Sequence, residues 1–154
     1  MGNILNEDFA DFLVSLNEAR VDYILVGGYA VIYHGYNRTT GDMDVWVNPS
    51  KENYNKLLVA FSAFGLSAFD MTEQNFLEVD KNDVFTFGRP PVCIDILTHV
   101  KGLEFKETFE RAVLREFDSV PVRVIDIRDL IAAKKAANRS PRVQQEKIPV
   151  SEDR

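Results

Sequence analysis

One strand-like segment of this sequence carries two carboxylates where a strand that serves only packing would carry apolar or neutral side chains. The segment spans residues 42–47, and Asp42, Asp44 and Trp46 alternate in it with three apolar residues. Because successive side chains of a strand point to opposite faces, the apolar set can enter a core while the two aspartates share the other face. Carboxylates this close repel each other unless a positive charge lies between them. The segment therefore predicts a strand with one buried face and a positive partner at its start.

A glycine pair precedes this strand. Gly27 and Gly28 end an apolar, strand-like run, Tyr23 to Val26, and are followed by a helix-like segment from Tyr29 to Tyr36. A strand that turns through glycines into a helix lets the backbone approach a ligand closely and directs N–H groups towards it, which favours anions. For the glycines alone, a tight turn without a ligand remains the alternative. Together with the carboxylates they predict neighbouring phosphate and metal sites, because magnesium takes one or two carboxylates plus substrate phosphates.

A third carboxylate, Asp95, interrupts the otherwise apolar segment Val92 to Leu97. Burial of a charge without a partner is costly, so a metal or a neighbouring carboxylate explains Asp95 better than packing does. The alternation from Val84 to Phe87 and the turn from Gly88 to Pro91 predict that this segment is the second strand of an antiparallel hairpin.

Four features in a fixed order resemble the nucleotidyltransferase superfamily with the DNA polymerase beta-type fold: Gly27-Gly28, Arg38-Thr39, Asp42-Met43-Asp44 and Asp95. The similarity is closest to small, stand-alone bacterial and archaeal nucleotidyltransferases, which include lincosamide-modifying enzymes and toxins of abortive-infection systems. The resemblance covers residues 23–97 and, more loosely, the last predicted helix. It implies an α+β fold with a mixed, mainly antiparallel sheet packed against helices.

The resemblance also implies an activity, the metal-dependent transfer of a nucleoside monophosphate from a triphosphate such as ATP to an acceptor hydroxyl, with release of pyrophosphate. Its implied catalytic and metal-binding residues, which hold one or two Mg²⁺ ions, are Asp42, Asp44 and Asp95. Its implied nucleotide-binding residues are Gly27, Gly28, Arg38, Thr39, Lys134 and Arg139, the last two having the five-residue spacing of a triphosphate-binding pair in related enzymes.

Two of these positions have a second interpretation. Arg38 is either a contact for nucleotide phosphates, which suit its forked guanidinium, or a surface residue that pairs with Asp42 or Asp44. Lys134 and the basic residues after it could simply stabilise the C-terminus of a helix. The chain also departs from the family pattern after Arg139, where Ser140-Pro141 stands in place of a lysine and an aspartate.

Length and composition favour one folded domain. The chain has 154 residues, of which 45% are hydrophobic and 27% charged. We predict a nucleotidyltransferase domain at residues 1–142 and a polar tail at 143–154. No apolar run approaches the ~20 residues that span a bilayer, and the first residues are acidic where a signal peptide would be basic. With Cys93 as the single cysteine, we expect a cytoplasmic protein that does not associate with membranes.

Charge and histidine content limit the other classes. The net charge of −6 disfavours a general nucleic-acid coat, and two distant histidines, His34 and His99, do not support a structural zinc site. A catalytically inactive module of the same fold, acting as an antitoxin or scaffold, remains an alternative, and metal-dependent phosphohydrolysis ranks third. The acceptor is a small molecule, a tRNA end or a protein hydroxyl. A second copy of the chain or a toxin–antitoxin partner could complete its pocket.

The remaining apolar periodicities complete the predicted architecture. They predict helices at residues 6–20, 51–64, 103–113 and 127–138 and a strand or ribbon at 116–125. Between residues 66 and 82 the pattern is weaker. There we expect a short edge strand at Leu66 to Phe69 and a helical turn at Thr72 to Leu77.

Overall fold

The computed structural model describes residues 7–36, 41–89 and 92–138. Within these ranges the chain forms six helices and six strands. In chain order they are α1 Glu7–Glu18, β1 Tyr23–Val26, α2 Gly27–Tyr33, β2 Asp42–Val47, α3 Lys51–Phe64, α4 Glu73–Leu77, β3 Val84–Arg89, β4 Val92–Leu97, α5 Phe105–Arg111, β5 Val113–Phe117, β6 Val120–Val124 and α6 Ile127–Asn138.

All six strands belong to one sheet with the order β3-β4-β2-β1-β6-β5. The β3–β4, β1–β2 and β5–β6 pairs are antiparallel, whereas β2 runs parallel to β4 and β1 runs parallel to β6. Because the sheet is mixed and the helices pack against it, the predicted α+β class is confirmed. The predicted β3–β4 hairpin is confirmed as well.

One face of the sheet forms the main core together with α1 and α3. The apolar residues of β2 that alternate with its aspartates are fully buried on this face: Met43, Val45 and Val47. Phe61 of α3 bridges the layers, since its ring contacts Phe12 of α1 and Phe87 of β3 with centroid distances of 5.8 and 4.9 Å. The alternation of β2 therefore gives the strand an apolar face, as predicted, and this face holds β2 in the core.

The opposite face of the sheet is covered only in part. Trp46 of β2 packs edge-on against Phe105 of α5, with 5.3 Å between the ring centroids. Helix α5 is tied to α6 by Arg111, whose guanidinium donates two hydrogen bonds of 2.8 and 2.9 Å to the buried carboxylate of Asp129. Helix α6 also packs against α2. The acids considered below lie on this same face, beside Trp46 along β2 and on the neighbouring strand β4.

The ends of α3 show how local sequence signals set the position of β2. Ser50 is the N-cap of α3 and its hydroxyl accepts a hydrogen bond of 3.1 Å from the N–H of Asn53. Gly65 ends the helix in the left-handed conformation with a φ of 92°. The buried side chain of Asn53 bonds the backbone of Asp22, before β1, and of Asn48, after β2, which fixes both strands to α3.

Several predicted boundaries differ from the structure. Helix α2 begins at Gly27, so the glycines form its first turn instead of preceding it. The predicted edge strand from Leu66 to Phe69 is wrong, because the chain turns there and the exposed Phe69 has a φ of 45°. The segment at 116–125 belongs to the β5–β6 hairpin, whose turn residues Asp118 and Ser119 both have positive φ.

The apolar periodicity of α6 predicts an inner face made of Ile127, Leu130, Ile131 and Lys134, and this prediction is wrong at one position. Ile131 is 45% exposed, and Asp129 is buried instead because Arg111 neutralises it. No helix in the described ranges is both long and apolar enough to cross a membrane. The predicted polar tail, residues 143–154, lies outside the described residues.

Candidate functional site

Asp44 and Asp95 lie side by side. They are aligned on the adjacent parallel strands β2 and β4, and aligned residues of neighbouring strands point to the same face of a sheet. Neighbouring strands are about 4.8 Å apart, so the two carboxyl groups start from positions close enough to share one ligand. Both residues are almost inaccessible to solvent, with exposed fractions of 3% and 6%.

Asp42 lies on the same face of the sheet as Asp44, two residues closer to the start of β2. It is half-buried and aligned with Cys93 of β4. Burial raises the pKa of the Cys93 thiol, and the negative charges of Asp42 and Asp95 raise it further. The sheet register alone brings Asp42, Asp44 and Asp95 to the same face at the start of β2 and the middle of β4.

Gly27 closes the site on the side of β1. Its neighbour Val26 is aligned with Asp44, and Gly27 itself has a φ of 70°, which L side chains rarely adopt. A Cβ atom at this position would lie 2.9 Å from both Cβ and Cγ of Asp44. The first residue of α2 therefore lies directly against the Asp44 side chain, and glycine is needed there for both backbone and space.

Thr86 closes the site on the side of β3. It is aligned with Asp95, and its hydroxyl donates a hydrogen bond of 2.8 Å to Oδ1 of Asp95. Four aligned residues thus cross four strands on one face: Val26, Asp44, Asp95 and Thr86. We call them the acid row. Thr86 was not predicted from the sequence. A hairpin with its turn from Gly88 to Pro91 would place Val84 opposite Asp95, whereas the observed pairing continues to Arg89 and Val92 and brings Thr86 there.

Solvent reaches the acid row from the β3 edge of the sheet. Thr86 and Gly88 of β3 are exposed, and Asp42 and Cys93 are half-buried. As they stand, no three His, Cys, Asp or Glu side chains within residues 7–36, 41–89 and 92–138 are close enough together to hold a metal ion. The donor set nevertheless fits magnesium, which needs only one or two carboxylates from the protein and takes its other oxygen ligands from phosphates and water.

The other predicted site residues have different positions. Arg38, Thr39 and Arg139 lie outside the described residues. Gly28 is buried in the first turn of α2, and Lys134 is half-buried on α6, the helix that packs against α2. Their contribution to nucleotide binding stays a prediction.

His34 follows α2, and its ring hydrogen-bonds the backbone of a segment that is distant in the chain. Its Nε2 lies 2.8 Å from the carbonyl oxygen of Ile125, which follows β6. His34 thus joins the end of α2 to the start of α6 at the end of the sheet where Asp42 lies.

Comparison with known proteins adds no family assignment. No protein-family model matches this sequence, and no curated protein matches it at a significant level. The similarity to nucleotidyltransferases therefore remains a hypothesis based on the order of motifs in the chain.

Proposed function

We propose that this chain is a metal-dependent nucleotidyltransferase, which moves a nucleoside monophosphate from a nucleoside triphosphate to an acceptor hydroxyl and releases pyrophosphate. The observation that carries the proposal is the alignment of Asp44 and Asp95 on one face, with Gly27 against one of them. The motif order of the sequence supports the same activity, since it resembles that of small nucleotidyltransferases.

The carboxylates of Asp44 and Asp95, with Asp42 on the solvent side, would hold one or two magnesium ions. Carboxylates this close repel each other, and a divalent cation relieves that repulsion. When bound, magnesium neutralises the negative charge that develops on the phosphates during transfer. Two or three protein carboxylates leave coordination positions for phosphate oxygens.

The chain's own residues would position the two substrates. We assign Asp95 the role of accepting the proton of the acceptor hydroxyl, because it lies between Asp44 and the exposed Thr86 of the edge strand β3. The backbone at Gly27 and Gly28 would lie along the phosphates, together with Arg38, Thr39, Lys134 and Arg139. These contacts would hold the triphosphate while the acceptor approaches from the β3 edge.

The acceptor class follows from the reaction and not from a described pocket. A hydroxyl of a small molecule, a tRNA end or a protein would serve, and a second copy of the chain or a partner such as an antitoxin could complete its binding site. We propose a cytoplasmic location, consistent with the single cysteine of the chain.

The proposal is tested by incubating the protein with each α-labelled nucleoside triphosphate, Mg²⁺ and a cell lysate, and following label into nucleic acid, protein and small molecules. The matched variants are Asp44→Asn and Asp95→Asn, with Asp80→Asn, an exposed acid outside the site, as control. Loss of a metal-binding carboxylate should lower transfer by about 100-fold or more, since even indirect partners of metal ligands cost 10–100-fold.

Two outcomes would contradict the proposal. Transfer that persists in Asp44→Asn would place the chemistry elsewhere in the chain. The absence of any binding of magnesium or triphosphates by the wild type in calorimetric titration would favour the catalytically inactive binding module.

A further inference from the structure

Thr86 is the only polar member of the acid row to which the proposed reaction assigns no role. Its hydroxyl donates a hydrogen bond of 2.8 Å to Oδ1 of Asp95, and β3 is the outermost strand on this side of the sheet. Thr86 itself is exposed whereas Asp95 is 6% exposed. The bond therefore connects the solvent-facing edge of the sheet to a buried carboxylate.

The chemistry of threonine suits this position for a specific reason. A β-branched side chain has few χ1 conformations, so its hydroxyl is held in place at little entropic cost. The hydroxyl has a single hydrogen to donate, and the bond to an ionised carboxylate is of the stronger, charge-assisted kind. Valine would fill the same space and also favours strands, so packing and strand propensity do not explain why the residue at position 86 carries a hydroxyl.

The two acids are held from opposite sides. Gly27 brings backbone against Asp44 from β1, and Thr86 bonds Asp95 from β3. Residues that hydrogen-bond metal ligands fix the ligand's orientation, and their loss costs 10–100-fold in metal affinity or activity. The same arrangement here would keep both carboxylates in position before a metal arrives.

We propose that Thr86 is a positioning residue, which orients Asp95 for divalent metal binding through its hydroxyl; this inference rests on the proposed function. A purely structural role for the bond is the competing explanation. The β3–β4 hairpin has six aligned residue pairs from Val84–Leu97 to Arg89–Val92, so its pairing does not depend on one side-chain bond.

The test is calorimetric titration with Mn²⁺ alone, without nucleotide, of the full chain and four variants. Thr86→Val removes the hydroxyl and keeps the shape, and Thr86→Ser restores the hydroxyl. Asp95→Asn marks the loss of the ligand, and Val84→Thr places a hydroxyl on the same face of β3 away from Asp95. We expect Thr86→Val to weaken Mn²⁺ binding by about 10–100-fold and Thr86→Ser and Val84→Thr to stay close to wild type. Urea unfolding midpoints should differ little among the Thr86 variants.

The possible results separate the inference from the proposed function. If the wild type binds Mn²⁺ and Thr86→Val binds it equally tightly, the positioning role is refuted while the proposed function stands. If Thr86→Ser binds as weakly as Thr86→Val, the hydroxyl is not the cause and the role is likewise refuted. If the wild type neither binds Mn²⁺ nor transfers nucleotide, the proposed function fails and this role fails with it.

Discussion

Replacement of Gly27 by alanine would measure how tightly the start of α2 lies against the acid row. Gly27 has a φ of 70°, and an added Cβ atom would come within 2.9 Å of Cβ and Cγ of Asp44. Real Cβ atoms do not make such contacts, so either the backbone of α2 or the Asp44 side chain must move. Asp44 is short and lies on a strand with neighbours on both sides, which leaves it little room.

The expected destabilisation has two parts. Holding a residue with a Cβ atom in the left-handed region costs about 1–2 kcal/mol. Crowding of a well-packed position adds about 1–3 kcal/mol. The free energy of unfolding of Gly27→Ala should therefore fall by about 2–5 kcal/mol, and nucleotide transfer should fall as well because Asp44 is displaced.

Gly65→Ala supplies the matched control. Gly65 has a φ of 92° with no atom within 4 Å of the added Cβ, so this variant carries the backbone cost without the crowding. Combining Gly27→Ala with Asp44→Ala should recover part of the loss, because the Cγ and carboxylate that the new methyl meets are removed; we expect a coupling of about 1–3 kcal/mol. Urea unfolding followed by the fluorescence of Trp46, the single and buried tryptophan, measures each value.

The refuting results are specific. If Gly27→Ala costs no more than Gly65→Ala, the close approach of α2 to Asp44 is wrong. If the double variant shows no coupling, the cost of Gly27→Ala does not come from the Asp44 side chain.

Three further predictions concern stability. Burial raises the pKa of Tyr23 from 10.0 to about 12, so the phenol loses its proton at a lower pH in the unfolded chain than in the folded one. The free energy of unfolding should therefore fall by up to about 2–3 kcal/mol as pH rises from 10 to 12. Tyr23→Phe should flatten that fall in alkaline unfolding curves. Burial raises the pKa of Asp126, but hydrogen bonds from Arg128 and nearby positive charges outweigh it, so the pKa is lowered overall. Asp126→Asn should therefore destabilise the fold at neutral pH. The difference in stability from wild type should disappear as pH falls below 3.8, the ordinary pKa of an aspartate. Ser50→Ala should cost about 1 kcal/mol in thermal unfolding through loss of the α3 N-cap bond to Asn53, and an unchanged melting curve would contradict the cap assignment.

The sequence predicted the elements in which local pattern decides the conformation. β2 and α6 have the predicted bounds, because alternation with period two and a capped apolar helix face are visible within a few residues. The same alternation indicated that Asp42 and Asp44 share one face. The pairing of β2 with β4, which brings the acids together, is consistent with that face but depends on the whole sheet.

The remaining features depend on contacts between distant parts of the chain. The burial of Asp129 in place of Ile131 depends on Arg111, which comes from another helix, and no local pattern predicts that pair. The order of the strands, with β6 beside β1, is likewise set by packing of the complete sheet. Phe69 turns with positive φ where its β propensity favours a strand, so propensity alone gave the wrong structure there.

The most direct test of the central claim is a cycle of Mn²⁺ titrations on wild type, Asp44→Asn, Asp95→Asn and the double variant, each checked for folding by circular dichroism. If both carboxylates hold the same ion, either single change should remove most of the affinity and the double variant should lose little more. Affinity losses that simply add, or a single variant that binds Mn²⁺ as the wild type does, would show that the two aspartates do not form one metal site.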